Sequence, residues 1–301
     1  MLEFRYPEMS DKQWAEEMLE HSQYMGSEYS FGNIFMWSRS YKTKITKHKN
    51  SLITKSSGEK PSYCCPAGSD SFEEILPDLL EDAKSCGHPF KMHGITRECT
   101  VELKKLFPGR FKFREERNTF DYIYLTEDLI NLSGRKFRDK RNHISAFKRE
   151  NKWSFEVIDA GNLEECIALN EAWDEQKRAS DPDSIYKEQD AIARGFDKFF
   201  ELGMEGGLIR SSGQAVAFTI GERLNINTFC VHYEKAFAEV RGAYPMINRE
   251  FADNCLRDYL YVNREEDVGD PGLRKAKLSY NPVILLEKYS VLLKDEFSYK
   301  L

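Results

Sequence analysis

The sequence predicts a mixed α/β fold in two domains, and three observations carry that prediction. Segments with a helical period alternate with short strand-like runs along the whole chain, so helices should cover the faces of sheets. Strand pairs joined by tight polar turns, such as residues 207–210 and 214–221 across Ser211-Ser-Gly213, argue for antiparallel pairing and against a purely parallel sheet. The length of 301 residues favours two domains at about 100–200 residues each, and 41% hydrophobic with 13% aromatic residues excludes a disordered chain.

The elements follow in order. Ser10 caps a helix reaching about Met25, with Trp14, Met18 and Leu19 on its inward side. Residues 29–37 read as an aromatic loop or short helix, and short strands fit 41–47, 51–55 and 63–65. Residues 71–86 place Phe72, Ile75, Leu76, Leu79, Leu80 and Ala83 on one helical stripe, and Ser71 with Glu74 has the capping-box pattern. Pro77 conflicts with that helix, because a proline removes a donor and kinks or delays the turn. A strand at 90–93, a helix at 97–107 and strands at 111–114 and 121–125 complete the first half. Residues 126–134 are the least structured stretch, which sets the expected domains at 1–130 and 131–301.

The second half opens on a charge-dense helix at 135–150 and a strand at 153–158. Asn162 caps a helix carrying Leu163, Cys166, Ile167 and Trp173, residues 179–184 read as a loop, and a further helix carries Ile192, Phe196, Phe199 and Phe200. After the hairpin come a strand at 226–233, a helix at 244–259, a strand at 259–262, a short helix at 272–279 and a last strand at 283–289.

Composition narrows the function classes. A formal net charge of -6 argues against a general binder of nucleic acid or membrane surface, while leaving room for a local basic patch. The seven cysteines form an odd set without a Cys-x-x-Cys pair, which reads as free, mostly buried thiols in a reducing compartment. No apolar run exceeds four residues, against about 20 for a membrane span, and the opening residues show no signal-peptide core. A soluble, cytoplasmic protein is expected. His88 and His93 lack a helical metal spacing, and no metal site is expected. Residues 203–207 are not a phosphate loop, no Gly-x-Ser-x-Gly elbow is present, and Cys230 on a strand reads as core.

Three segments carry candidate chemistry. In the basic helix, residues 135–149 hold seven Lys or Arg and one Asp. At about 100° per residue, Arg135, Arg138 and Arg149 share one arc with Asn142, while Phe137, Ile144 and Phe147 face the core. A solvated face is one reading. A phosphate site for a nucleotide, a transfer RNA or a lipid head group is the other, since arginines grip phosphate in a forked geometry. Next, a strand leads through a loop to Arg241, Gly242, Ala243 and Tyr244 at the start of a helix, whose free N–H groups can hold an anion. An ordinary strand–helix turn is the alternative. Last, residues 263–282 put Glu265, Glu266, Asp267 and Asp270 at a strand end, followed by Arg274, Lys275, Lys277 and Tyr280 on a short helix. Opposite charges at a strand end can tune a general base or bind an amine, or form a surface salt-bridge turn.

The strand–loop–helix unit resembles the coenzyme A cradle of the GNAT acetyltransferases in architecture, but Tyr244 and Met246 stand where that pattern has small residues. Residues 263–282, the basic segment 134–142 and Arg241–Tyr244 together resemble a family of bacterial proteins related to the C-terminal catalytic domain of phosphatidylglycerol lysyltransferase. The resemblance covers most of the chain. It implies two tandem GNAT-like domains, as in the Fem-type aminoacyltransferases that modify peptidoglycan, with the active site in the C-terminal one. The expected activity is transfer of an aminoacyl group from aminoacyl-tRNA to an amine or hydroxyl acceptor, without a covalent enzyme intermediate. Asp267 or Glu266 would act as base or amine anchor and Tyr280 as general acid. Arg241, Gly242, Ala243, Tyr244, Lys275 and Lys277 would hold the donor, and Arg135, Arg138 and Arg149 its phosphates. A coenzyme A-dependent N-acetyltransferase, using acyl-coenzyme A as donor, and a non-catalytic small-molecule or peptide module are the alternatives.

Overall fold

The computed structural model describes residues 2–177 and 182–294. In chain order the elements are α1 (Lys12–Ser22), α2 (Phe31–Trp37), β1 (Thr43–His48), β2 (Ser51–Ser56), β3 (Ser62–Tyr63), β4 (Ala67–Gly68), α3 (Phe72–Ser85), β5 (Lys91–Thr96), α4 (Arg97–Leu106), β6 (Phe111–Glu115), β7 (Asp121–Leu125) and α5 (Thr126–Asn131). There follow α6 (Arg138–Glu150), β8 (Trp153–Val157), α7 (Leu163–Lys177), α8 (Pro182–Asp197), α9 (Phe199–Leu202), β9 (Glu205–Ser211), β10 (Gln214–Arg223), β11 (Thr228–Ala236), α10 (Ala243–Cys255), β12 (Tyr261–Asn263), α11 (Pro271–Leu278), β13 (Ile284–Leu286) and β14 (Lys288–Leu293). They form two compact units. One comprises the chain up to Asp121, the segment Glu266–Asp270 and the chain from Leu285 on; the other comprises Tyr122–Glu265 and Pro271–Ile284.

The first unit is built on a mixed sheet in the order β1-β2-β3-β5-β14-β6, with β4 paired to β2. Helix α3 lays Ile75, Leu76 and Leu79 into its core, all fully buried. Its capping box forms as the sequence predicts: Ser71 and Glu74 satisfy each other's backbone N–H groups. Pro77 stays inside α3, on the exposed side, where the lost donor is tolerated next to water. Tyr63 stacks on Phe90 with ring centroids 5.8 Å apart.

The second unit is a seven-stranded mixed sheet, β13-β7-β12-β11-β10-β9-β8. Phe137, Ile144 and Phe147 of the basic segment and Met246, Ile247 and Phe251 of α10 bury their side chains in one core with Phe229 and Val262 of the sheet. Some local expectations differ from what forms; Ser10, for one, lies in a 3-10 turn and Asp11 is the N-cap of α1. Residues 126–131 are helical, since Leu129 is drawn into the core. The single strand expected at 283–289 is two, β13 and β14, in different sheets. Strand β11 runs on through Glu234, Lys235 and Ala236, because both charged side chains find partners within the unit: Glu234 pairs with Arg264 and Lys235 with Asp174. Of the loop expected at 179–184, residues 179–181 lie outside the described residues and 182–184 belong to α8.

Candidate functional site

In the second unit, β11 pairs in parallel with β12 through only Thr228, Phe229 and Cys230 and then continues six residues further. The backbone edge of β11 beyond Cys230 is therefore left open by β12. A bulge falls at the same place: Ile220 faces Tyr233 and Gly221 faces Val231, so His232 has no opposite residue on β10. Bulges re-aim side chains and recur beside functional sites. The chain leaves β12 through Arg264 and Glu265, and Glu265 takes a left-handed conformation with φ 55°.

Arg264 is the centre of the cluster that results. Its Nη2 donates to Glu234 Oε1 at 2.8 Å, and Asn248 Nδ2 donates to Glu234 Oε2 at 3.0 Å. The guanidinium lies 4.8 Å from the ring centre of Tyr280 and 5.6 Å from that of Tyr124. Lys277 Nζ donates to the Arg264 carbonyl at 2.7 Å, and Tyr124 donates to the Lys277 carbonyl at 2.8 Å, which ties the end of α11 to the cluster. Within this cluster two buried atoms, Arg264 Nη1 and Asn248 Oδ1, have no hydrogen-bond partner among the described residues. Burial works against the charge on Arg264, but Glu234 and the two phenols outweigh it and raise its pKa. Burial also pushes the phenol of Tyr280 up, so it is a hydrogen-bond donor at neutral pH.

Lys140 completes the group. Its Nζ lies 3.9 Å from the centre of the Tyr280 ring. Burial first, and then the charge of Arg264, push this ammonium down to about 8. Next to this group, His232 stands between two carboxylates: Nε2 to Glu222 Oε1 and Nδ1 to Glu265 Oε1, both at 2.8 Å. Burial opposes the imidazolium, and the Cys230 thiol with Glu222 and Glu265 hold its pKa well above the ordinary value.

The residues singled out in the sequence divide between the units. Asp267 and Glu266 belong to the first unit, where Asp267 is fully buried, pairs with Arg117 at 3.2 Å and accepts from the Gly269 amide at 2.9 Å. Tyr280 and Lys277 meet at Arg264, whereas Lys275 is exposed. Arg241 is exposed beside Gly242, which has φ 85° and sits where an added Cβ would lie 2.4 Å from the His143 carbonyl oxygen, so only glycine fits. The first turn of α10 has little to offer an anion. The Ala243 amide donates to Val240, that of Met246 to Gly242, and Pro245 has none, which leaves Gly242 and Tyr244. The Tyr244 hydroxyl accepts from Trp173 Nε1 at 3.2 Å and Met246 is buried in the core.

The basic segment is largely neutralised. Lys136 pairs with Asp128 at 3.0 Å, Lys148 with Glu250 at 3.2 Å and Arg149 with Glu150 at 2.7 Å, while Arg141 donates to the carbonyls of Leu132 and Gly134. Arg135 lies in a 3-10 turn before α6, which takes it off the arc calculated for a continuous helix. Arg135 and Arg138 are exposed. The sequence reading overlooked Arg264, Glu234, Lys140 and Tyr124. One signal was present: Lys140 occupies the stripe of Phe137, Ile144 and Phe147, a cation on the core-facing side of its helix. A cleft of about 540 Å³ lined by Thr126, Ile130, Arg257 and Tyr259 contains none of these groups.

Residues 20–292 match the family model described as phosphatidylglycerol lysyltransferase, C-terminal. The chain belongs to that family. A conserved protein of unknown function from Bacteroides thetaiotaomicron superimposes with a TM-score of 0.94 at 37% identity, covering 98% of this chain and 100% of that one. The C-terminal domain of a protein described as a lysylphosphatidylglycerol synthetase from Agrobacterium fabrum gives 0.67 at 13% identity over 97% and 94% of the two chains. FemX gives 0.62 at 10% identity over 99% of each. An uncharacterised protein of Mycoplasmoides gallisepticum is 23% identical over 182 residues, and the match spans 57% of this chain and 55% of that protein. The family match is thus to the phosphatidylglycerol lysyltransferase C-terminal proteins, and the mixed α/β fold is shared with FemX. Among the described residues, no helix is long and apolar enough to cross a membrane. All seven cysteines are free.

Proposed function

We propose that this protein transfers an aminoacyl group from aminoacyl-tRNA to an amine or hydroxyl acceptor, and that the reaction is run by Arg264, Lys140 and Tyr280. The observation that carries the reading is the buried, unspent Nη1 of Arg264. A donor left unpaired in a closed site is costly unless a partner arrives. The oxyanion that forms when an acceptor attacks an ester carbonyl is such a partner. Glu234, itself fixed by the Asn248 amide, holds the guanidinium, so it is in position before charge develops. Tyr280, kept protonated by its surroundings, is a second donor.

Lys140 takes the proton. At about 8 its pKa is close to the working pH, so a useful share is neutral and able to accept a proton from the attacking amine or hydroxyl. The same group returns the proton to the ribose oxygen that leaves, so no residue need be acylated. In this assignment Asp267, saturated by Arg117 and a loop amide, holds the Glu266–Asp270 loop of the first unit. With only the Gly242 and Tyr244 amides left, the start of α10 favours a donor other than coenzyme A, whose pyrophosphate is held by several such groups in the GNAT enzymes that the loop resembles.

The test uses a set of aminoacyl-tRNAs with hydroxylamine as surrogate acceptor. The expected result is aminoacyl hydroxamate formed faster than in the absence of protein, for one or a few amino acids. Consumption of acyl-coenzyme A with every aminoacyl-tRNA inert would replace this reading with the acetyltransferase one.

A further inference from the structure

Three atoms of the kinds that hold transition metals converge beside the Arg264 cluster. Cys230 Sγ, a ring nitrogen of His232 and a carboxylate oxygen of Glu265 all lie within 4.8 Å of one another, with Cys230 and His232 buried. We propose that they form a three-residue site for a divalent transition metal of the zinc class.

The fold presents them in three separate ways. Cys230 is the last residue of β11 that pairs with β12, His232 is the residue set out of register by the bulge, and Glu265 is returned by its left-handed backbone. The spacing is near what the metal requires. His232 Nδ1 lies 3.8 Å from Cys230 Sγ. Nitrogen and sulfur bound at about 2.0–2.1 and 2.3 Å on a tetrahedral ion lie about 3.6 Å apart. The 2.8 Å contact from Nδ1 to Glu265 would open by about 0.6 Å as the metal replaces the shared proton. On the far side of the ring, Nε2 faces the buried Glu222, the carboxylate–histidine arrangement that orients metal-bound imidazoles. Mixed sulfur, nitrogen and oxygen donors suit zinc better than calcium or magnesium. Three residues leave one tetrahedral position for water. The inference stands apart from the proposed transfer reaction, and its test reads metal alone.

The protein is purified without chelators and its metal content measured by mass spectrometry, then stripped and titrated with Co²⁺. The expected result is about one equivalent of zinc per chain, and a near-ultraviolet thiolate-to-cobalt band that Cys230→Ser removes and Cys255→Ser keeps. Glu222→Gln should weaken binding by about 10–100-fold. Should Cys230→Ser fail to fold, Glu265→Gln, at a half-buried loop position, is read in its place and should weaken Co²⁺ binding at least tenfold. A folded wild type that carries no zinc and gives no band with Co²⁺ overturns the proposal, as does a band unchanged in Cys230→Ser or in Glu265→Gln.

Discussion

Each unit buries a carboxylate with a cation and an aromatic neighbour, and the two networks differ in one respect. In the first, Asp82 accepts from Lys55 Nζ and the Tyr63 hydroxyl at 2.7 Å each and from the Leu2 amide at 3.1 Å. Burial raises the cost of its charge, and Lys55 with Tyr63 more than offset it, so the Asp82 pKa is lowered. In the second, Glu234 accepts from Arg264 and Asn248, yet Arg264 Nη1 and Asn248 Oδ1 are buried with no partner among the described residues. A closed network contributes stability and order. An open one withholds part of that stability until something enters, which is the behaviour of a site.

The largest expected effect tests the closed network. Lys55→Met leaves the Asp82 carboxylate buried with neutral donors only, and breaking such a pair costs about 3–5 kcal/mol. Urea denaturation of the folded protein should show that loss. A change under about 1 kcal/mol would mean that Tyr63 and Leu2 suffice for Asp82.

Arg264→Lys makes the opposite trade. It keeps a cation for Glu234 but cannot offer a second N–H in the same plane. The transfer rate should fall by about 10²–10³-fold, the usual loss of one oxyanion donor, while stability changes by less than about 1.5 kcal/mol. A large loss of stability with the rate per folded molecule unchanged would make Arg264 structural, like Lys55.

Lys140 supplies a pH signature that the closed network cannot. Its folded value is depressed to about 8, so the neutral, proton-accepting form is lost as pH falls through that value. Transfer should rise about tenfold per pH unit below this point and level above it. Lys140→Met should lower the plateau by about 10²–10⁴-fold and remove the limb. A wild-type rate that falls above pH 8 would instead assign Lys140 to charge stabilisation.

How much of this was legible depends on the kind of information a residue carries locally. Ser71 with Glu74 announced α3, and short continuous apolar runs announced β7 and β10, because capping and strand-length apolar runs are decided within a few residues. Strand β14 was run together with β13, since nothing local separates two strands whose partners lie in different sheets. Glu234 and Lys235 looked like loop residues because the partners that let them stay in a strand, Arg264 and Asp174, are 30 and 61 positions away. Within residues 263–282 the acids drew attention by number. Arg264 matters instead through one unspent N–H, which no sequence pattern encodes.

The smallest expected effect concerns the donor's phosphates. Of the seven cations between 135 and 149, Lys136, Lys148 and Arg149 are paired with carboxylates, Arg141 is bound to carbonyls and Lys140 is turned onto Tyr280. Arg135 and Arg138 remain to meet a phosphate chain. Each phosphate contact to single-stranded nucleic acid contributes about -0.7 to the slope of log affinity against log salt. Replacing both arginines by alanine should therefore flatten the transfer-RNA binding slope by about 1.4. Arg149→Ala should leave it nearly unchanged, since Glu150 already occupies that guanidinium. Both variants replace exposed side chains, so the melting temperature should hold. An equal loss of slope from Arg149 would show that its pair with Glu150 opens to admit the ligand. An unchanged slope in the double variant would make the helix a solvated face and move the phosphate contacts elsewhere.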